Sequence, residues 1–226
     1  MPRATGRLVL ALPILAAAAS PGRAAAQAAS PDAGRASYAA CAPCHGPRAE
    51  GNPALGGPSL AGQIPAYLTR QLESFRSGVR GAAAGDAEGA KMRAVAAGLS
   101  DPQIRDVVAY IATLPDPVTP KSVAGDLKNG SNYYQMKCNA CHGARAEGNA
   151  LLGAPRLAGA SDAYLLRQLA SFRSGLRGGG SDDRPGRQMA MMARTLPDEK
   201  TDRDVVAFVR SLAPGAAAAP GAGATR

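Results

Sequence analysis

Apolar residues recur along this chain at helical spacing. Leu68, Leu72 and Phe75 stand four and three apart, with Gly78 placed to stop the run, and Leu165, Leu169, Phe172 and Gly175 repeat the device. A second stripe, Ile104, Val107, Val108 and Ile111, follows a capping box of Ser100 with Gln103, and Val205, Phe208, Val209 and Leu212 form its counterpart. A shorter helix begins near Ser30-Pro31, where serine caps and proline fits the first turn, and runs into the CAPCH stretch at Cys41. No segment alternates with period two, so the pattern predicts an all-α protein with three helices in each of two copies.

The copies are explicit. An offset of 97 residues carries CAPCHGPRAEGN onto CNACHGARAEGN, PSLAG at Pro58 onto PRLAG at Pro155, and YLTRQLESFRSGVRG at Tyr67 onto YLLRQLASFRSGLRG at Tyr164. One inserted residue later, DVVAYIATL at Asp106 matches DVVAFVRSL at Asp204. This period is too long for a stacked solenoid and describes a duplicated domain. The expected organisation is a first domain over residues 27–115, a proline-containing linker over 116–125, a second domain over 126–213 and a disordered tail over 214–226. Residues 1–26 read as a secretory signal peptide: Arg3 and Arg7 precede an apolar run ending at Ala19, and Ala24-Ala25-Ala26 supplies small residues for cleavage. Pro13 interrupts the run, which falls short of the roughly 20 apolar residues of a membrane-spanning helix, so an uncleaved anchor is the weaker alternative.

Composition adds a difficulty. The 226 residues include six tyrosines, three phenylalanines and no tryptophan, too little aromatic mass for two small domains to fill their cores unaided. Charge adds an asymmetry. The chain is formally +9, and without its first 26 residues the excess lies entirely beyond residue 120, where fifteen basic side chains meet nine acidic ones. Export argues against nucleic acid as the partner, and no aromatic residues are interleaved with the basic ones to stack on bases. A basic half instead suits an anionic membrane surface or an acidic protein.

The four cysteines and both histidines are spent on CAPCH and CNACH alone. Two disulfides, a thioredoxin-like centre or a zinc site would each use the cysteines and leave the histidines as coincidence. A thioredoxin-like centre also wants a preceding strand, and a zinc site made of all four thiolates would have to join two separate domains. Covalent haem c uses every residue of the motif. Cys41 and Cys44, like Cys138 and Cys141, form thioethers to the vinyl groups, and His45 or His142 turns its imidazole onto the iron. Two porphyrins would also supply the missing flat apolar mass, so the chain without haem is expected to fold poorly.

No histidine remains for a second axial position. Met92 lies 47 residues after His45, and Met189 lies 47 after His142. Both follow a glycine-rich loop and precede the last helix of their copy, the place from which a thioether could reach the opposite haem face. Met191 and Met192 are rivals of Met189 in the sequence MAMM. His/Met ligation closes the iron and favours the ferrous state, which points to reversible one-electron transfer. Pro58 and Pro155 stand where a backbone carbonyl can accept the remaining imidazole proton, although such prolines also serve simply to stiffen a loop.

The order CxxCHG, PxLAG, YLxxQLxxFRxGxR, a methionine before the last helix and a valine-rich closing helix, all duplicated, resembles the dihaem cytochrome c4 family. The resemblance covers nearly the whole mature chain. It implies two class I cytochrome c domains about a pseudo-twofold axis, in a periplasmic protein, soluble or peripherally membrane-associated, that passes electrons from a quinol–cytochrome c reductase toward a terminal oxidase. It assigns Cys41, Cys44, His45 and Met92 to one haem, and Cys138, Cys141, His142 and Met189 to the other. It further implies that Gly34 and Tyr38 pack on Tyr110, and Gly130 and Tyr134 on Phe208. The tyrosine stands three residues before its cysteine in the first copy and four in the second, which leaves that register open. The second copy also departs in reading PRLAGAS against PSLAGQI, losing the glutamine. Alternative functions are a cytochrome subunit docked on a periplasmic dehydrogenase, or a dihaem redox enzyme of peroxidase or thiosulfate-oxidising type; the lack of a spare His or Cys beside an open iron disfavours the enzyme.

Overall fold

The computed structural model of the chain describes residue 1, residues 28–117 and residues 119–212. The signal peptide expected over 1–26, apart from Met1, and the tail expected over 214–226 lie outside the described residues. Helices account for all the regular structure among them. The first half contains α1 (Pro31–Tyr38), α2 (Ala42–His45), α3 (Pro65–Ser77), α4 (Ala87–Ala96) and α5 (Asp101–Ala112). The second half repeats the series as α6 (Leu127–Lys137), α7 (Asn139–His142), α8 (Asp162–Ser174), α9 (Arg184–Ala193) and α10 (Glu199–Ser211).

Each half is held by a close crossing of its first and last helices. A Cβ on Gly34 would lie 1.9 Å from the Asp106 carbonyl oxygen, and one on Gly130 would lie 2.0 Å from that of Asp204, so only glycine lets the backbones approach this far. One turn further on, Tyr38 packs on Tyr110 at 5.4 Å between ring centroids, and Tyr134 on Phe208 at 5.6 Å. Tilted aromatic pairs of this kind add stability beyond the area they bury. The buried tyrosine hydroxyls donate to the Gly46 and Gly143 carbonyls at 2.7 and 2.6 Å, tying each crossing to its cysteine motif.

These contacts resolve the unequal spacing between tyrosine and cysteine. In the first copy the helix breaks after Tyr38, and the Cys41 N–H reaches back three residues to the Tyr38 carbonyl. In the second copy the helix continues through Lys137, and the Cys138 N–H reaches back four residues to Tyr134. The tighter turn absorbs the missing residue, and both tyrosines meet the same partners.

The expected helices over the middle and last stripes are present. Gly78 and Gly175 terminate α3 and α8 in left-handed conformation, and Ser100 with Gln103 forms a complete capping box on α5. The expectation of three helices per copy is corrected to five α-helices among the described residues, with one further turn of 3-10 helix, Pro53–Leu55, in the first copy. The cysteine motif forms its own short helix, α2 or α7, and the segment carrying the methionine is helical, as α4 or α9, although its glycines suggest a loop. Asp86 and Asp183 cap these helices through the N–H groups of Gly89 and Gly186, where a Cβ would lie within about 2 Å of the capping carboxylate.

The described part of the linker lies along the second half. Asp116 pairs with Arg156 at 2.6 Å, the Thr119 hydroxyl donates to the Gly159 carbonyl, and Arg210 donates to the carbonyls of Thr119 and Pro120. Buried Asp162 accepts from the Ser122 N–H and hydroxyl and from the Val123 N–H. The two halves face each other through reciprocal contacts. Arg70 donates to the Gly153 carbonyl at 2.6 Å and Arg167 to that of Gly56 at 2.7 Å; Arg80 reaches Gln168 and Arg177 reaches Gln71. Each pair is the image of the other at the 97-residue offset.

Replacing Gly34 by Val is expected to destabilise the haem-loaded protein by about 3 kcal/mol, since the added carbon meets backbone that cannot yield. Gly98→Ala, where nothing lies within 4 Å of the new carbon, should leave the midpoint of thermal unfolding within a degree or two. A second outcome concerns acid. Burial opposes ionisation of Asp204, but Lys200, Asn129 and the Asp126 N–H outweigh it and hold the carboxyl at about 2. A depressed carboxylate pKa contributes stability above its unfolded value and loses it as pH falls toward the folded one. Asp204→Asn should therefore unfold more easily than wild type at neutral pH, with the gap closing between about pH 4 and pH 2 in acid titrations followed by circular dichroism.

Candidate functional site

The short helix α2 carries Cys41 at its N-cap, Cys44 within it and His45 at its last position, and α7 does the same for Cys138, Cys141 and His142. Spacing of three and four residues puts the thiols and the ring on one side of a single turn. No two of the four cysteines are bonded to each other; Cys44 and Cys141 are exposed and Cys41 and Cys138 half-buried.

Gly46 and Gly143 then turn the chain out of the helix in a positive-φ conformation, and the RAEGN segment brings it back. Glu50 accepts from the Arg48 N–H at 2.7 Å, the Gly51 N–H returns to the His45 carbonyl at 2.7 Å, and Asn52 pairs with Gly57 in both directions. Gly57 is obligatory here, because a Cβ would fall 1.8 Å from the Cys44 carbonyl oxygen. The turn delivers the Pro58 carbonyl to the histidine: His45 Nδ1 donates to it at 2.8 Å, and His142 Nδ1 donates to Pro155 at 2.9 Å. Both rings are buried, and burial lowers their pKa against the opposing pull of the proline carbonyl, which favours neutral imidazole. With Nδ1 engaged, Nε2 is the nitrogen left to meet a metal.

Each histidine lines an apolar cavity. In the first half His45 and Cys41 share it with Leu68, Phe75, Met92 and Ile111. In the second half His142 and Cys138 share it with Leu165, Phe172, Met189 and Val209, and this cavity runs on to the boundary between the halves. Met92 lines the first cavity, and Met189 and Met192 line the second; Met136 and Met191 are exposed and line neither. Met192 is itself 37% exposed, so it is a rival of Met189 but a less enclosed one. Position 192 corresponds to Val95 in the first copy.

Sequence reasoning missed the polar lining of the boundary. Arg80 and Arg177 lie over Phe75 and Phe172, both at 4.4 Å from the ring centroid, and Arg177 also reaches the Tyr67 hydroxyl. Neither arginine pairs with a carboxylate among the described residues. Burial and the neighbouring Arg177 lower the pKa of Arg80. Two largely buried guanidinium groups without an anion fit a cofactor that brings its own carboxylates, as haem does through its propionates. The sequence holds a trace of these arginines, which recur in register within FRSGVR and FRSGLR, but exposed residues of the duplication recur as well and the repeat alone does not assign them a role.

The arrangement of two cysteines, a neutral imidazole with its outer nitrogen engaged and an apolar cavity fits covalent haem c in both halves, and in the second half Arg177 lines that cavity without a carboxylate partner among the described residues. Comparison with known proteins agrees. A family model described as "Cytochrome c" matches twice, over residues 31–115 and 127–213. Cytochrome c4 of Stutzerimonas stutzeri is 31% identical over 190 residues, covering 78% of this chain and 85% of that protein. A thiosulfate dehydrogenase electron acceptor from Stutzerimonas stutzeri (strain A1501) is 35% identical over 173 residues, covering 71% and 74%. The crystal structure of reduced recombinant cytochrome c4 from Pseudomonas stutzeri superimposes with a TM-score of 0.62 at 27% identity, over 81% of this chain and 98% of that one. Two tandem cytochrome c domains, related across this length to cytochrome c4, mean that the chain belongs to the dihaem cytochrome c4 family and carries two covalently bound haem c groups.

Proposed function

We propose that the protein is a periplasmic one-electron carrier, exported by its N-terminal segment, that takes electrons from a quinol-oxidising complex and delivers them toward a terminal oxidase. The observation that carries this reading is the pairing, in each cavity, of one engaged histidine with a methionine and no second histidine. In this reading residues 27–115 and 126–213 each enclose one haem, attached through Cys41 and Cys44 or through Cys138 and Cys141. His45 with Met92 and His142 with Met189 are the axial pairs, and the carbonyls of Pro58 and Pro155 fix the imidazoles. The haem supplies a reversible ferric–ferrous couple. The protein's part is to close both axial positions, exclude water and keep the imidazoles from turning.

A second reading has support of its own. The relative named as a thiosulfate dehydrogenase electron acceptor covers most of this chain, which favours a periplasmic dehydrogenase as donor. Both readings make the protein a carrier and not the enzyme. No helix among the described residues is long and apolar enough to cross a membrane.

The ligand assignment has a direct test. Magnetic circular dichroism during a redox titration should show two haems, each with His/Met coordination, and the native ferrous protein should bind carbon monoxide slowly or not at all. Met92→Ala and Met189→Ala should each abolish the sulfur-to-iron charge-transfer band of one haem and open that haem to carbon monoxide. Rapid binding to both haems of the unaltered protein would sink the carrier reading. The direction of docking has a separate test. The basic second domain should face an acidic partner, so bimolecular reduction or oxidation should slow by about tenfold between about 0.01 and 0.15 M salt, as the Debye length falls to about 8 Å. A rate indifferent to salt would remove the second domain from the docking face.

A further inference from the structure

The loss of one glutamine between the copies breaks the symmetry of the boundary at a chemically sensitive point. The peptide unit joining Pro155 to Arg156 is engaged at both ends. Its carbonyl accepts from His142 Nδ1 at 2.9 Å, and its N–H donates to Oε1 of Gln63, a residue of the other domain, at 2.9 Å. The amide of Gln63 cannot turn over, because its Nε2 donates to the Arg156 carbonyl at 2.9 Å while Oε1 also accepts from the Ile64 N–H at 3.0 Å. The Arg156 guanidinium clamps the same strand of chain, donating to the Gly62 carbonyl at 3.0 Å and pairing with Asp116 at 2.6 Å.

The first domain keeps only half of this chain. His45 Nδ1 donates to Pro58 at 2.8 Å, but the residue that matches Gln63 at the 97-residue offset is Ala160, which carries no amide to meet the Ser59 N–H. The inner bond is duplicated and the outer one is not.

A peptide that donates through its N–H gains electron density at its carbonyl oxygen and becomes a better acceptor, by about 10–30% per added bond. A better acceptor draws the Nδ1 proton further from the imidazole and makes the ring a stronger donor to iron, which favours the ferric state. We infer that Gln63 is a positioning residue for the second haem: it acts across the domain boundary, through the Pro155–Arg156 peptide and His142, to hold the potential of that haem below the value its own domain would give it. The inference rests on His142 as an axial ligand of the second haem. It gives two haems with the same ligand types a built-in difference, and it makes the electron affinity of one domain depend on contact with the other.

The test uses the haem-loaded full chain. In Gln63→Leu the potential of the second haem should rise enough to move the distribution of one electron between the haems about threefold toward it, about 28 mV at about 59 mV per tenfold for a one-electron couple. The first haem should not move. In the diamagnetic ferrous protein the His142 Nδ1–H resonance should shift while that of His45 stays in place. Ala160→Gln should produce the same change with the opposite sign at the first haem, lowering its potential and moving the His45 resonance. Arg70→Gln, which removes a different boundary bond, should leave both imidazole resonances where they are. The inference is overturned if Gln63→Leu moves neither haem or both equally, or if Arg70→Gln shifts the His142 resonance as far as Gln63→Leu does. Failure of the underlying assignment is distinct: the unaltered protein would then lack histidine coordination at its second haem, whatever the variants do.

Discussion

Everything in each half hangs on one close approach, the crossing of the first and last helices at Gly34 and at Gly130. Because the backbones meet there without a side chain between them, an aromatic pair can lock the crossing one turn later. The tyrosine of that pair then ties the cysteine-bearing helix to the crossing through a carbonyl. The histidine comes off the end of that short helix, and the RAEGN turn returns the chain so that a proline carbonyl meets its Nδ1. Ring orientation is thus a remote consequence of how tightly two helices cross. It is set by backbone groups, which mutation of side chains alters least.

Duplication doubles this device and then uses the pair. The faces of α3 and α8 that would be solvated in a lone domain carry Tyr67, Arg70 and Gln71 with their counterparts Tyr164, Arg167 and Gln168, and the reciprocal bonds between the halves run from these positions and from Arg80 and Arg177. A boundary so rich in arginine, with no carboxylate among the described residues to pair Arg80 and Arg177, is costly for protein alone. Arg80 and Arg177 are the residues that would hold a propionate there, and such an anion would offset the cost. The haems supply the apolar mass of the cores, which is how a chain with nine aromatic residues sustains two compact units.

Much of this was legible from residues alone, and the rest was hidden for physical reasons. The spacings of Leu68, Leu72 and Phe75, and of Ile104, Val107 and Ile111, give helices because burial on one face writes a period into the sequence. The cysteine motifs give haem because the chemistry needs all their residues at once. The helix around Met92 was not legible: a glycine in its first turn, required by the Asp86 cap, and a scarcity of large apolar residues imitate a loop. The buried arginines Arg80 and Arg177 were legible only as a repeat, because polar residues just past the end of a helix read as solvated until a second domain covers them. The tyrosine register was ambiguous since a three-residue and a four-residue turn cost nearly the same, and only the three-dimensional contacts show that both spacings reach one geometry.

The described contacts of the linker have a consequence for how the molecule divides. Asp116, Thr119, Pro120, Ser122 and Val123 are all fastened to residues of the second copy, namely Arg156, Gly159, Asp162 and Arg210. The connector is therefore cargo of one lobe and not a slack tether shared by two. Severed just after Pro115, the polypeptide would part into an N-terminal piece that keeps its own helices and a C-terminal piece still wearing the strap, so the natural seam of the protein lies at the strap's first residue and not at its middle.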